Sequence, residues 1–158
     1  MIVVIIGQSG GGKTSFAKTQ FLQGELKIVN DIVPYTTNGR ICAVGKYGIG
    51  KRTEGTDTLP YNSGAKIRQL ITKLHSEGKN ILIEGDRINN RAMFEFLRKL
   101  NADVKLYLVT CSLETSINRL RAAGSKITLK FVKATKTKSK NNFLQWAEYF
   151  NGEVITND

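Results

Sequence analysis

The sequence predicts an α/β fold of three layers, with a central parallel sheet flanked by helices. Three observations carry that expectation. Ile2-Val3-Val4-Ile5-Ile6 is a continuous β-branched run, the mark of a strand buried on both faces of a parallel sheet. Comparable apolar runs recur at Ile81-Leu82-Ile83 and at Leu106-Tyr107-Leu108-Val109. Helical patterns separate these runs, as repeated βαβ units require.

Taken in order, residues 2–6 form the first strand and residues 14–22 a helix that follows a glycine-rich turn. A short strand over 26–30 leads into residues 31–62, which read as irregular, with turn formers at Pro34, Asn38-Gly39, Gly45, Gly48, Gly50, Gly55 and Pro60. A connection of that length in a compact domain points to function. Ile67, Leu70, Ile71 and Leu74 share one face of a helix over 63–76, and Gly78 stops it. Residues 80–84 form the second buried strand, 90–100 an amphipathic helix and 104–109 the third buried strand. Ser112 is placed to cap a helix running through residue 123. Phe143, Trp146 and Phe150 fall on one side of a last helix and read as core packing rather than as a base-stacking platform. Residues 153–156 read as a final strand. With no internal repeat and no linker, residues 1–158 are expected to form a single domain.

Composition narrows the function classes. The 158 residues are 41% hydrophobic, too many for a disordered chain. No run of about 18 apolar residues exists to span a membrane, so no membrane partner is expected. The opening MIVVIIG lacks a basic region and a cleavage site, and reads as a strand rather than a signal peptide. Cys42 and Cys111 lack CxxC spacing and read as buried free thiols of a reducing compartment, the cytoplasm, with no zinc site. The 24 Lys+Arg against 13 Asp+Glu give a net charge of +11, which favours a polyanionic partner. That charge is segregated. Arg119, Arg121, Lys126, Lys130, Lys133, Lys136, Lys138 and Lys140 supply +8 of it in a stretch, 115–147, without a single Asp or Glu. This is the footprint of a surface for a phosphate backbone. Lys133, Lys136 and Lys140 fit helical spacing while Lys136, Lys138 and Lys140 alternate as on a strand, so the element there stays open.

The chemistry is carried by Gly7-Gln8-Ser9-Gly10-Gly11-Gly12-Lys13-Thr14, which satisfies G-x-x-x-x-G-K-[ST] after a buried strand and at the start of a helix. Glycines let backbone N–H groups curl around phosphates, and the helix N-terminus adds a positive dipole. Lys13 reaches the β/γ-phosphates and the Thr14 hydroxyl can ligate Mg²⁺. Gly7, Ser9, Gly10, Gly11, Gly12, Lys13, Thr14 and Ser15 are therefore the candidate nucleotide-binding residues. The Asn-Lys-x-Asp and Asp-x-x-Gly motifs of a GTPase are absent.

A short P-loop domain with a long loop after its second strand resembles the P-loop kinases of nucleotides and nucleic acids. The resemblance covers most of the chain, specific at residues 7–14 and looser elsewhere. It implies the three-layer P-loop kinase fold, with ATP as donor and Mg²⁺ as cofactor. Asp31, just after the second strand, stands where such kinases place a carboxylate against the acceptor hydroxyl; its other reading is an Asx-turn residue. Glu84 or Asp86, in Glu84-Gly85-Asp86-Arg87 at the exit of a buried strand, would hold the metal with Thr14. Arg119 and Arg121 lie where the family supplies lid arginines, and with Lys13 and Asp31 they complete the catalytic candidates.

Within residues 31–62, Tyr35-Thr36-Thr37 followed by Arg40 is similar to the acceptor-binding stretch of guanylate kinase-type enzymes. Gly45-Lys46-Tyr47 with Gly55-Thr56-Asp57-Thr58 is similar to small phage-encoded P-loop kinases, including those that phosphorylate 5-hydroxymethyluracil within DNA. The acceptor candidates are accordingly Thr37, Arg40, Lys46, Arg52, Asp57 and Arg87, with Lys133, Lys136 and Lys140 for the strand. Asp57 competes with Asp31 and Asp86 for the role of base. The resemblance implies an ATP-dependent kinase acting on a hydroxyl of a nucleic-acid acceptor, DNA in a phage-infected host cytoplasm. The alternatives are a kinase of a free nucleoside or nucleoside monophosphate, and a P-loop ATPase that binds nucleic acid.

Overall fold

The computed structural model describes residues 1–50 and 53–158. A seven-stranded sheet forms its middle layer, in the order β2-β3-β4-β5-β1-β6-β7. The strands are β1 (Ile2–Ile6), β2 (Lys27–Val29), β3 (Tyr35–Thr37), β4 (Cys42–Val44), β5 (Ile81–Glu84), β6 (Val104–Thr110) and β7 (Glu153–Thr156). The helices are α1 (Lys13–Phe21), α2 (Gly64–Ser76), α3 (Arg91–Leu100), α4 (Leu113–Ala122) and α5 (Leu129–Trp146). β1 lies between β5 and β6, parallel to both, with Ile2 opposite Ile81 and Val104.

The all-apolar run of β1 follows from that central place. Ile2, Val4 and Ile6 face one core with Ile67, Leu70, Phe94 and Trp146, whereas Val3 and Ile5 face a second with Ala17 and Leu22 of the α1 side. Alternation along a strand sends successive side chains to opposite faces, so both faces of β1 need apolar residues. Phe94, Trp146 and Phe150 stack with centroids 5.7 and 5.5 Å apart around Trp146, which places all three in the core. Cys42 and Cys111 are buried free thiols.

The expected three-layer architecture holds, with a mostly parallel central sheet whose β3 pairs antiparallel with both β2 and β4. One expectation needs correction: the 31–62 stretch is not irregular throughout, since it contains β3 and β4, joined through Asn38-Gly39. Asn38 stabilises that turn by accepting from the Arg40 and Ile41 N–H groups and donating to the Phe21 and Gln23 carbonyls. Three-residue strands are too short to show a hydrophobic period. The basic stretch, whose form was open, is helical: Thr128 caps α5, and Val132, Thr135, Ser139, Phe143 and Trp146 form its buried stripe. Among the described residues, no helix is long and apolar enough to cross a membrane.

Candidate active site

The glycine-rich loop joins β1 to α1 at the carboxyl end of the parallel strands, the end at which open α/β sheets bind ligands. Gly12 takes the N-cap position of α1 with φ 94°, a conformation that only glycine adopts without strain. A Cβ there would also overlap the Asn157 amide, which donates to the Gly11 carbonyl at 3.5 Å. Neighbouring elements hold the loop. Gln8 is buried and donates to the Cys111 carbonyl at 2.7 Å and the Ser116 hydroxyl at 3.0 Å, while accepting from Thr110 at 2.9 Å. The Ser9 N–H donates to Thr135 Oγ1 at 3.1 Å, which ties α5 to the loop. Lys13 Nζ donates to the Gly7 and Gln8 carbonyls at 3.0 and 2.9 Å, leaving the ammonium over the loop that would surround phosphates.

Glu84, at the end of β5, is buried and accepts from the Thr14 hydroxyl at 3.0 Å and the Tyr47 hydroxyl at 3.1 Å. Burial is the main cause that raises its pKa to about 7, with Asp57 adding to the rise and Lys13 opposing it. Burial likewise lifts the Tyr47 phenol well above its usual range, and Glu84 adds to this. Gly55, with φ 70°, allows its backbone to approach the Glu84 carboxylate closely, because a Cβ there would strike Glu84 Oε1 and Tyr47 Oη. Tyr47 was not singled out as a site residue; its sequence signal is one aromatic between Gly45 and Gly48 in a polar stretch.

Two cavities adjoin here. The first, of about 410 Å³, is lined by Gly7, Ser9 to Ser15, Thr53, Glu54, Asp57, Asp86, Arg119, Leu120, Ala123, Ser125, Ile127 and Thr135. The second, of about 690 Å³, is lined by Ile28, Asn30, Lys46, Ile49, Thr53, Asp57 and Thr58. Thr53 and Asp57 line both. Asp57 Oδ1 accepts from Arg87 Nη1 at 2.8 Å, and Asp86 Oδ1 from Lys138 Nζ at 2.8 Å. Arg119 Nη1 donates to the Gly10 carbonyl at 3.3 Å and Nη2 to the Asn157 carbonyl at 2.6 Å, which fixes the guanidinium beside the loop.

The other candidates are placed differently. Asp31 lines neither cavity; its carboxylate is paired at 2.5 Å with Lys73 of α2, and this bond is the main cause that holds its pKa below the usual carboxylate value. Its predecessor Asn30, not a candidate, is the residue that lines the second cavity. Thr37 and Arg40 lie at the opposite end of the sheet from the loop. Thr37 is opposite Cys42, and Cys42 is opposite Ile81, the first residue of β5, while Arg40 lines a separate hollow with Met1 and Asn80. Thr37 there accepts from the Gly39 N–H and donates to the Ile41 carbonyl, a turn-forming role. Arg121 is exposed on α4 and lines neither cavity. Lys133 and Lys140 are exposed on α5, whereas Lys136 donates to the Cys111 carbonyl at 2.8 Å. Arg52 lies outside the described residues.

The state of Glu84 has a measurable consequence. A carboxyl whose folded pKa is about 7 keeps a proton that the unfolded chain releases near its ordinary 4.5. Stability therefore falls as pH rises through that window and stays reduced above it. In metal-free protein, Glu84→Gln is expected to gain stability over the wild type between pH 5 and pH 8, by on the order of 3 kcal/mol. Chemical denaturation at the two pH values measures this; parallel pH profiles for both proteins would contradict it.

No family model and no curated protein sequence matches the chain. Among solved structures it is similar to deoxyadenosine kinase from M. mycoides with bound dATP, at 11% identity, covering 99% of this chain and 91% of that one, with a TM-score of 0.48.

Proposed function

We propose that the protein is an ATP-dependent kinase that transfers the γ-phosphoryl group to a hydroxyl of a nucleic-acid acceptor. The observation that carries this reading is the pair of cavities meeting at Asp57: one is lined by Gly7 and residues 9–15 of the glycine-rich loop, and the other is large enough for a nucleoside. A hydrolase needs room only for water beyond the γ-phosphate, whereas a kinase needs a second site.

In this reading the backbone N–H groups of residues 9–15 bind the phosphates, and Lys13 turns from the Gly7 and Gln8 carbonyls onto the β/γ oxygens. Arg119 stands ready to offset charge on the transferring group. The acceptor hydroxyl enters from the second cavity, and its oxygen bonds to the γ-phosphorus as the bond to ADP breaks. Asp57 takes the hydroxyl proton, and Arg87 keeps the carboxylate aimed. Thr14 and Asp86 line the first cavity and Glu84 accepts from the Thr14 hydroxyl, so these oxygen groups would hold Mg²⁺, Glu84 as the ionised carboxylate. Bound Mg²⁺ would neutralise charge on the β- and γ-phosphate oxygens.

Two features support a polymeric acceptor, with 5-hydroxymethyluracil in DNA as its sharpest form. Lys46, Asp57 and Thr58, from the segments that resemble the phage DNA kinases, all line the second cavity. In addition Arg121, Lys126, Lys130, Lys133 and Lys140 are exposed with no acidic residue in their stretch. Replacing Lys130, Lys133 and Lys140 together with Gln is expected to weaken binding to single-stranded DNA and to reduce the slope of log K against log salt by about 2, since each phosphate contact contributes roughly 0.7. An unchanged slope would show that these lysines meet no backbone.

The reading is tested by an acceptor screen read by mass. Phosphate is expected on an oligonucleotide carrying 5-hydroxymethyluracil. Phosphate on free nucleosides alone would reassign the acceptor, and no phosphorylated acceptor at all would overturn the kinase.

A further inference from the structure

β2 is an edge strand of the sheet, and Ile28 within it and Asn30 just past it are two residues apart. That interval puts both side chains on one side of the chain, and both line the second cavity. Ile49 is the other apolar residue of its wall, beside the polar Lys46, Thr53, Asp57 and Thr58. Two of these polar groups are already engaged. Asp57 is held by Arg87, and the Thr58 hydroxyl donates to the Gly55 carbonyl at 2.7 Å while accepting from the Lys46 N–H at 3.1 Å. The Asn30 amide, the Lys46 ammonium and the Thr53 hydroxyl have no hydrogen-bond partner among the described residues. Of these three, only the amide offers a donor and an acceptor side by side in one plane. An ammonium suits a phosphate and a hydroxyl makes single bonds, whereas an amide pairs through two bonds with a planar edge that carries a donor next to an acceptor. Nucleobases have such edges, and Ile28 and Ile49 give the same cavity apolar surface for a ring.

We propose that Asn30 is a specificity-determining residue for the acceptor, its amide pairing with the hydrogen-bonding edge of the base while the hydroxyl meets Asp57 in the same cavity. The proposal rests on the kinase reading above and adds how the base is recognised. On a uracil ring, Oδ1 would accept from N3–H and Nδ2 would donate to O4. The carbon that carries the hydroxymethyl group adjoins the carbon that bears O4, so one ring presents the edge and the reacting hydroxyl from neighbouring atoms.

The test compares 5-hydroxymethyl-2′-deoxyuridine with its N3-methyl derivative, each as the free nucleoside and within a single-stranded oligonucleotide, by calorimetric binding and by phosphoryl transfer. The methyl group removes the N3–H donor. In the wild type it is expected to lower affinity and kcat/KM for the acceptor by about 10- to 100-fold, as the loss of paired hydrogen bonds requires. Asn30→Ala is expected to show that loss with the unmethylated acceptor and to respond to methylation by less than about threefold, with the KM for ATP unchanged. The same coupling in binding, without phosphoryl transfer, would leave the base recognition standing and remove the kinase reading. Equal effects of methylation in the two proteins, or no binding of either acceptor in either form, would overturn the proposal.

Discussion

Asp57→Asn is expected to lower turnover by about 10²-fold or more, with the KM for ATP little changed. Asparagine keeps the size of the side chain and can still accept from Arg87, but it cannot take a proton from an attacking hydroxyl. Asp57 lines both cavities and so stands where, on the proposed reading, donor and acceptor would meet. Asp31→Asn is the matched control. Asp31 faces Lys73 and lines neither cavity, so its replacement should leave turnover within about twofold of wild type. Steady-state kinetics on both variants with one acceptor decide between them. A large loss in Asp31→Asn with none in Asp57→Asn would return the base to the position after β2.

Lys13→Ala is expected to have the second large effect, a fall of about 10³-fold in kcat/KM for ATP. The ammonium lies over the loop and, among the described residues, donates to the Gly7 and Gln8 carbonyls, bonds it can exchange for a phosphate. Those two bonds contribute little to folding: the thermal midpoint should drop by only a few degrees, as follows from about 1–2 kcal/mol in a chain of this length. Loss of activity with unfolding would indicate a structural lysine instead. Kinetics paired with a melting curve separate the two.

What was legible in the sequence was local. Residues 7–14 announce their own structure, because a strand, a glycine-rich turn and a helix start are contiguous in the chain. Glu84 and Asp86 were legible for the same reason, as carboxylates at the exit of an apolar run. Arg119 and Arg121 were both implied by the resemblance to kinase lid arginines, and only Arg119 reaches the loop. What escaped depends on long-range register. The β2-β3-β4 meander has strands of three residues each, and its turns alternate between the two ends of the sheet. A resemblance covering Tyr35 to Arg40 therefore could not reveal that Thr37 and Arg40 sit at the end remote from the loop. Just past β2 the consecutive residues Asn30 and Asp31 diverge, Asn30 lining the second cavity and Asp31 turned to α2. Side chains alternate at that interval, so spacing from Lys13 does not specify which of the two faces the site.

Contacts from distant chain segments had no signal at all. Asn157 reaches Gly11 and Arg119 only because β7 is added beside β6 and delivers its end to the loop. The charge of the basic stretch was read correctly as segregated, but its division was not. Lys136, Lys138 and Arg119 turn inward to Cys111, Asp86 and the loop, while Lys126, Lys130, Lys133 and Lys140 are exposed. The helical stripe of Val132, Thr135 and Ser139 sets that division, since it determines which flank of α5 faces the site.

The central claim is that the two cavities form one centre for phosphoryl transfer to an alcohol. It is tested most directly by measuring ADP formation with γ-radiolabelled ATP, with and without a hydroxymethyluracil-containing oligonucleotide. The account predicts that ADP release depends on the oligonucleotide and that label enters it one for one. ADP released at the same rate without acceptor, with all label as inorganic phosphate, would contradict it.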